Sequence, residues 1–179
     1  MRVKSGVARG TKLKTVSGTE LVRPTTDKVK GAIFNMIQFS VPGAKVLDLF
    51  CGSGALGIEA LSRGAESVTF VDLSPKSLGV TEENLLHTHL MEKAELKKSD
   101  WESFLKQNSK QYSLVLADPP YAMDVLFKLL DCCAELIVPG GTLVFECDRQ
   151  QEAILHPSFS LYRHNCYGST AVLVYRRGE

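Results

Sequence analysis

From Lys45 onward, short apolar runs alternate with segments of helical period. The runs are Lys45–Phe50, Ser67–Val71, Tyr112–Ala117 and Thr142–Glu146, and the more polar Ala94–Lys98 reads as a further strand among them. Between them, Ala55–Ser62, Pro75–His87 and Val125–Leu136 read as helices, with Gly79 a weak point in the second. Strands that are apolar throughout, rather than at every second residue, belong in a parallel sheet covered on both faces. Pro139-Gly140-Gly141 is a turn into the fifth strand, and a short helix is expected near Gln150–Leu155. Phe159–His164 and Thr170–Arg176 bring the count to seven strands and can pair antiparallel through Asn165–Ser169. The expected architecture is α/β: a mostly parallel seven-stranded sheet with an antiparallel last strand. In such sheets a ligand sits beyond the carboxyl ends of the strands, near the switch point.

The segment before Lys45 has a different character. Arg2–Ala8 and Lys12–Val16 read as two short strands around Arg9-Gly10. Arg23-Pro24-Thr25-Thr26 is a stop followed by hydroxyls suited to helix capping. Val29, Ala32, Ile33, Met36 and Ile37 then follow helical spacing, in a helix that ends before Pro42-Gly43. Residues 1–30 hold eight basic and two acidic side chains, in a chain whose net charge is +1. A basic arm on an acidic body suits polyanion binding, and equally a solvated, frayed terminus. We expect residues 1–22 to form a basic hairpin or arm and residues 23–179 the main domain. At 44% hydrophobic and 23% charged, the composition is that of a globular protein. No apolar run reaches the length of a membrane span. Five cysteines without a Cys-x-x-Cys pair argue against a disulfide framework or zinc site and fit a reducing cytoplasm.

Val46-Leu47-Asp48-Leu49-Phe50-Cys51-Gly52-Ser53-Gly54-Ala55-Leu56-Gly57 joins the first strand to the first helix of the alternating part. Gly52, Gly54 and Gly57 formally match the dinucleotide pattern G-x-G-x-x-G. Asp48, however, lies four residues before Gly52, where a carboxylate would oppose a pyrophosphate. It suits a cationic amino-acid moiety, such as the methionine part of S-adenosylmethionine. Asp72 ends the next strand, where it can accept ribose hydroxyls. Asp100 follows the third, where it can accept an adenine amino group beside Trp101 or cap a helix. An acid ending a buried strand is costly without a partner.

Asp118-Pro119-Pro120-Tyr121 follows the fourth strand. Two prolines remove two backbone donors and stiffen the chain, so the aromatic after them has a fixed direction. The plain alternative is a stiff strand exit. Yet the Asp118 carboxylate can accept one hydrogen of a ring amine, and the Pro119 carbonyl or a neighbour can accept the other. Tyr121 can stack on the ring. Catalysis is then mainly positioning of the nitrogen for in-line attack on a sulfonium methyl.

Together these residues resemble the amino-methyltransferases that act on adenine or guanine in DNA and RNA. More narrowly, the chain is similar to the bacterial small-subunit ribosomal RNA guanine-N2 methyltransferases, of the guanine-966 type. The similarity rests on Arg23 to Asn35, Leu47 to Ala65, Asp118 to Tyr121 and Tyr167-Gly168. It implies a Rossmann-like S-adenosylmethionine-dependent fold, with S-adenosylhomocysteine as product. Asp118, Pro119, Pro120 and Tyr121 would form the base site. Asp48, Phe50, Gly52, Ser53, Gly54, Asp72, Leu73, Asp100 and Trp101 would line the cofactor site, approached by Arg23, Thr25 and Thr26. Arg2, Lys4, Arg9, Lys12 and Lys14 would hold RNA. The implied partner is ribosomal RNA, within an assembling small subunit or free, bound by a monomer without metal or membrane. Cys51 stands where the family often has alanine, and Asp72 where it often has glutamate.

Asp-Pro-Pro-Tyr does not separate guanine N2 from adenine N6. A nicotinamide oxidoreductase read from the glycines, and a non-catalytic RNA-binding protein, are the readings of other classes. Cys51, Cys132 and Cys133 read as packing residues. His87 and His89 fall on different helix faces and do not make a metal pair. Glu146, at a strand end, is either a turn acid or a cleft residue.

Overall fold

The computed structural model describes residues 1–16, 27–120 and 123–179. Its regular elements, in order, are α1 (Asp27–Met36), β1 (Lys45–Leu49), α2 (Ala55–Ser62), β2 (Ser67–Asp72), α3 (Pro75–His87), β3 (Ala94–Lys98), α4 (Trp101–Gln107), β4 (Tyr112–Ala117), α5 (Leu126–Cys133), β5 (Ile137–Asp148), β6 (Phe159–Tyr167) and β7 (Thr170–Arg177).

Seven strands form one sheet in the order β3-β2-β1-β4-β5-β7-β6. The first five are mutually parallel, and β7 runs antiparallel to both β5 and β6. This is a Rossmann-like sheet with an antiparallel last strand, as the alternation of runs predicts.

Alternate residues of each central strand enter different cores. Val46, Phe70, Leu114, Leu116 and Val144 pack on one face with α1, α2 and the arm residues Val3, Ala8 and Leu13. Leu47, Leu49, Val115, Leu143 and Phe145 pack on the other with α4 and α5. Two covered faces are why these strands read as near-continuous apolar runs. Pairing of Leu49 with both Val71 and Ala117, and of Ala117 with Phe145, brings the strand exits level. Phe50, Asp72, Asp118 and Glu146 therefore stand at one edge of the sheet. The chain reverses direction across the sheet between β1 and β4, which places the switch point at that edge.

Three sequence expectations change. The arm does not form two regular strands: an antiparallel bridge joins Arg2 to Lys12, and Val3 N–H to the Thr11 carbonyl, Gly10 N–H to the Val3 carbonyl and Leu13 N–H to the Met1 carbonyl close it as an irregular hairpin. Other donors between these contacts are drawn elsewhere. Lys4 and Ser5 N–H donate to the Glu59 carboxylate, and Val7 and Ala8 N–H donate to the Ser62 carbonyl and hydroxyl. The described arm residues 1–16 are packed down rather than frayed, since Val3 and Leu13 are both 2% exposed. The expected helix near Gln150–Leu155 is an irregular segment, in which the Tyr175 hydroxyl bonds both the N–H and the carbonyl of Ile154. Asp148 Oδ1 accepts the Gln150 N–H and the Asp148 carbonyl accepts the Gln151 N–H, a turn that is not continued as a helix. The Pro139-Gly140-Gly141 turn is carried inside β5, between the paired residues Ile137 and Thr142. The capping expectation at Arg23–Thr26 falls outside the described residues.

Candidate active site

Asp48 points from β1 toward α2. Its Oδ2 accepts the Gly57 N–H at 2.9 Å, and its side chain is all but sealed from solvent, at 1% exposure. Burial pushes its carboxyl up to about 8, and the nearby charges of Asp118 and Asp72 act in the same direction. Among the described residues the Gly57 hydrogen bond opposes them. Such a group is poised to ionise against a cation. Gly57 has no room for a side chain, since a β-carbon there would lie 2.3 Å from Phe70 Cε1 and 2.9 Å from Asp48 Oδ2.

Asp72 holds the neighbouring loop in shape. Its Oδ2 accepts Gly52 N–H at 2.9 Å and its Oδ1 accepts Ser74 N–H at 2.8 Å. Gly52 and Gly54 have φ of 56° and 75°, and Phe50 shares that region at 58°. A left-handed Phe is strained, and here it turns the ring toward Trp101, with 6.1 Å between centroids. Leu73 is 67% exposed at the loop rim.

Asp100 caps α4: its Oδ1 accepts Ser103 N–H at 2.9 Å. The Ser103 backbone hydrogen bond, chief among several to its carboxylate, holds that group below its ordinary range. Asp118 is half-buried at the β4 exit, Pro119 is buried and Pro120 is exposed. On the far side of the prolines a cleft of about 480 Å³ runs to the β5 exit, over Phe145 and Cys147 and beside Asp148 and Gln151. Tyr121, Arg23, Thr25 and Thr26 lie outside the described residues.

The arm cations differ in company. Arg2 Nη1 donates to the Gly10 carbonyl, Lys4 faces Asp27 at 3.6 Å and Lys14 pairs with Glu83 at 2.5 Å. Arg9 and Lys12 are exposed and make no ion pair among the described residues.

One set of residues was missed from sequence. Thr81 Oγ1 donates to the Gly52 carbonyl at 2.9 Å, and Asn84 Nδ2 donates to the Ser53 carbonyl at 2.9 Å. The signal existed: Ser77, Thr81, Asn84 and Thr88 are spaced four, three and four apart, a polar stripe on the buried face of α3. Cys51 and Cys133 are buried, and Cys132 is half-buried, as packing residues should be. Glu146 is 3% exposed at the β5 exit.

Residues 1–176 match the family described as Conserved hypothetical protein 95. Ribosomal RNA small subunit methyltransferase D of Escherichia coli (strain K12) is 32% identical over 184 residues, covering 99% of this chain and 90% of that protein. The chain belongs to this methyltransferase family. Another member-like relative, YlbH of Bacillus subtilis (strain 168), is 40% identical over 183 residues and 99% of each chain. The solved structure of yhhF from Escherichia coli superposes with a TM-score of 0.87 at 30% identity, covering 99% of this chain and 98% of that one.

The family's cofactor is S-adenosylmethionine, and the site fits it. Among the described residues no cation faces the buried Asp48 carboxyl, and an amino-acid ammonium provides one. The glycine loop leaves backbone open beneath a ligand, and the Phe50–Trp101 pair and Leu73 offer apolar surface to a purine. No pyrophosphate is needed to explain the glycines.

Proposed function

We propose that this protein transfers the methyl group of S-adenosylmethionine to the exocyclic N2 amine of a guanine in small-subunit ribosomal RNA. The observation that carries this reading is the position of Asp118-Pro119-Pro120. It sits at the switch point, within electrostatic reach of the buried Asp48 and at the mouth of the adjoining cleft. The relatives named for ribosomal RNA methylation, matched along nearly the whole chain, support RNA as the substrate.

The bound cofactor supplies an electrophilic methyl on sulfur. The chain's own residues bind and orient. Asp48 meets the ammonium, and Asp72 keeps the loop shaped beside the ribose. Asp100 and Trp101 border the purine, with Arg23 and Thr25 approaching the cofactor from the segment before α1. Asp118 accepts one amine hydrogen, the Pro119 carbonyl accepts the second, and Tyr121 stacks on the target ring. Holding both hydrogens aims the nitrogen lone pair: the N–C bond forms as the methyl's bond to sulfur breaks, giving S-adenosylhomocysteine, and one amine proton is released to solvent, so the main catalytic contribution is orientation. The target must be looped, single-stranded or flipped, because a stacked base cannot enter the cleft. Residues 1–22 act as the RNA-holding arm, with Arg9 and Lys12 the cations free to meet phosphate.

The test is incorporation of tritium from labelled S-adenosylmethionine into unmodified small-subunit RNA or particles. Nucleoside mass spectrometry of the product then identifies the methylated base. Wild type should yield N2-methylguanosine, and Asp118→Ala should lose at least about a hundredfold in rate. N6-methyladenosine as the product, or full activity in the variant, overturns the reading.

A further inference from the structure

Asn84 joins two parts of the molecule that the chain keeps far apart. It lies on the buried face of α3 and is 1% exposed. Its Oδ1 accepts the Lys14 N–H at 2.8 Å, and its Nδ2 donates to the Lys14 carbonyl at 3.0 Å and to the Ser53 carbonyl at 2.9 Å. One rigid amide plane thus grips the arm at Lys14 from both sides and the glycine loop at Ser53. Both amide hydrogens are spent. Because the group is planar, a displacement of the arm at Lys14 turns the amide and alters the bond to Ser53.

The same helix face contains its own contrast. Thr81, three residues earlier, holds the Gly52 carbonyl and makes no hydrogen bond to the described arm residues 1–16. Upstream, the arm is fastened to α2 through Glu59 and Ser62, so Lys14 is where it meets α3.

We infer that Asn84 is a positioning residue that transmits engagement of the arm by RNA to the loop beneath the cofactor, so that RNA tightens the cofactor site. This rests on the proposed roles of the arm and the loop. By linkage the effect is reciprocal: cofactor on the loop strengthens RNA binding by the same factor.

The experiment measures S-adenosylhomocysteine affinity by calorimetry with and without saturating small-subunit RNA transcript. In wild type, RNA should raise the affinity about tenfold. In Asn84→Ala the ratio should fall to about one. Thr81→Val should weaken binding equally in both conditions and keep the wild-type ratio, which a merely loosened loop would also do. A ratio of one in wild type, or an unchanged ratio in Asn84→Ala, overturns the inference. A second measurement needs no variant: RNA alone should slow amide hydrogen exchange in residues 53–57 of the wild type, and unchanged exchange there overturns it too. Failure of the wild type to bind S-adenosylhomocysteine or RNA at all would instead sink the proposed function, and this coupling with it.

Discussion

Lys30 and Glu59 form an ion pair with no exposed side-chain surface, Nζ to Oε2 3.2 Å apart, and each also holds the arm backbone. Lys30 Nζ donates to the Arg2 carbonyl at 2.6 Å, while Glu59 accepts the N–H groups of Lys4 and Ser5 and the Arg63 Nε–H. The pair is a fastening between α1, α2 and the arm.

Breaking it from one side should be costly. Glu59→Gln leaves a buried ammonium without its counter-charge, a loss of about 3–5 kcal/mol. Burial already lowers the Lys30 pKa, against which Glu59 acts. In the variant the lysine shifts further down. Stability then rises with pH between the folded pKa and the unfolded value near 10.5, since the unfolded chain binds the extra proton there. Urea unfolding at neutral and at alkaline pH measures this. A deficit that does not shrink with rising pH contradicts it.

Gly57→Ala should destabilise the fold by about 1–3 kcal/mol, the usual cost of forcing a methyl into a packed site. The added carbon meets the Phe70 ring at 2.3 Å, a backbone helix position with nowhere to retreat. Because it also crowds Asp48 Oδ2, S-adenosylhomocysteine affinity should fall with stability. Thermal unfolding and calorimetry on one sample suffice, and normal affinity in the variant would contradict the placement of Asp48.

Asp48 should give the free protein an unusual pH profile. Its folded pKa, about 8, lies above the unfolded 3.8, so the folded state binds the extra proton between them. The stabilising contribution is complete below about pH 4 and is lost as pH rises toward 8. Asp48→Asn should flatten that decline. Since an ammonium favours the ionised carboxylate, ligand binding at pH 7 should release a proton. Binding enthalpies that do not depend on buffer ionisation would contradict this.

Much of the sheet was legible because both of its faces are covered, which leaves Leu114–Ala117 apolar without interruption and Val46–Leu49 apolar except for Asp48. The site ends were legible for a related reason: Asp48 and Asp118 are acids at places where burial tolerates none without a purpose. The arm was not. The N–H groups of Lys4, Ser5, Val7 and Ala8 pair with Glu59 and Ser62, more than fifty residues away, and no local pattern announces such partners. The segment at Ile154 fails as a helix because of one hydroxyl on β7, again a distant cause. Asn84 shows the middle case: its polar stripe is visible in the spacing, but the carbonyls it holds are not.

Charge reversal in the arm should separate its cations. Arg9→Glu with Lys12→Glu should weaken RNA binding and reduce the salt slope by roughly one per lost phosphate contact. Lys14→Glu should also weaken it, and in addition places an acid against Glu83, its present partner. Filter binding across a salt series reads both, with S-adenosylhomocysteine affinity of the double variant unchanged in the absence of RNA. An unaltered slope in the double variant would remove the arm from the RNA interface.

β7 lies between β5 and β6 and, among the described residues, is the only strand paired with β6. A premature stop after Gly168 would therefore strip two strands from the sheet rather than one. It would release β6 as a loose ribbon and bare the β5 flank at Leu143, Val144 and Phe145, which now pair with Tyr175, Val174 and Leu173. An uncapped apolar border of that kind templates chain-to-chain association. Such shortened products should be met as aggregates, not as weakened enzymes.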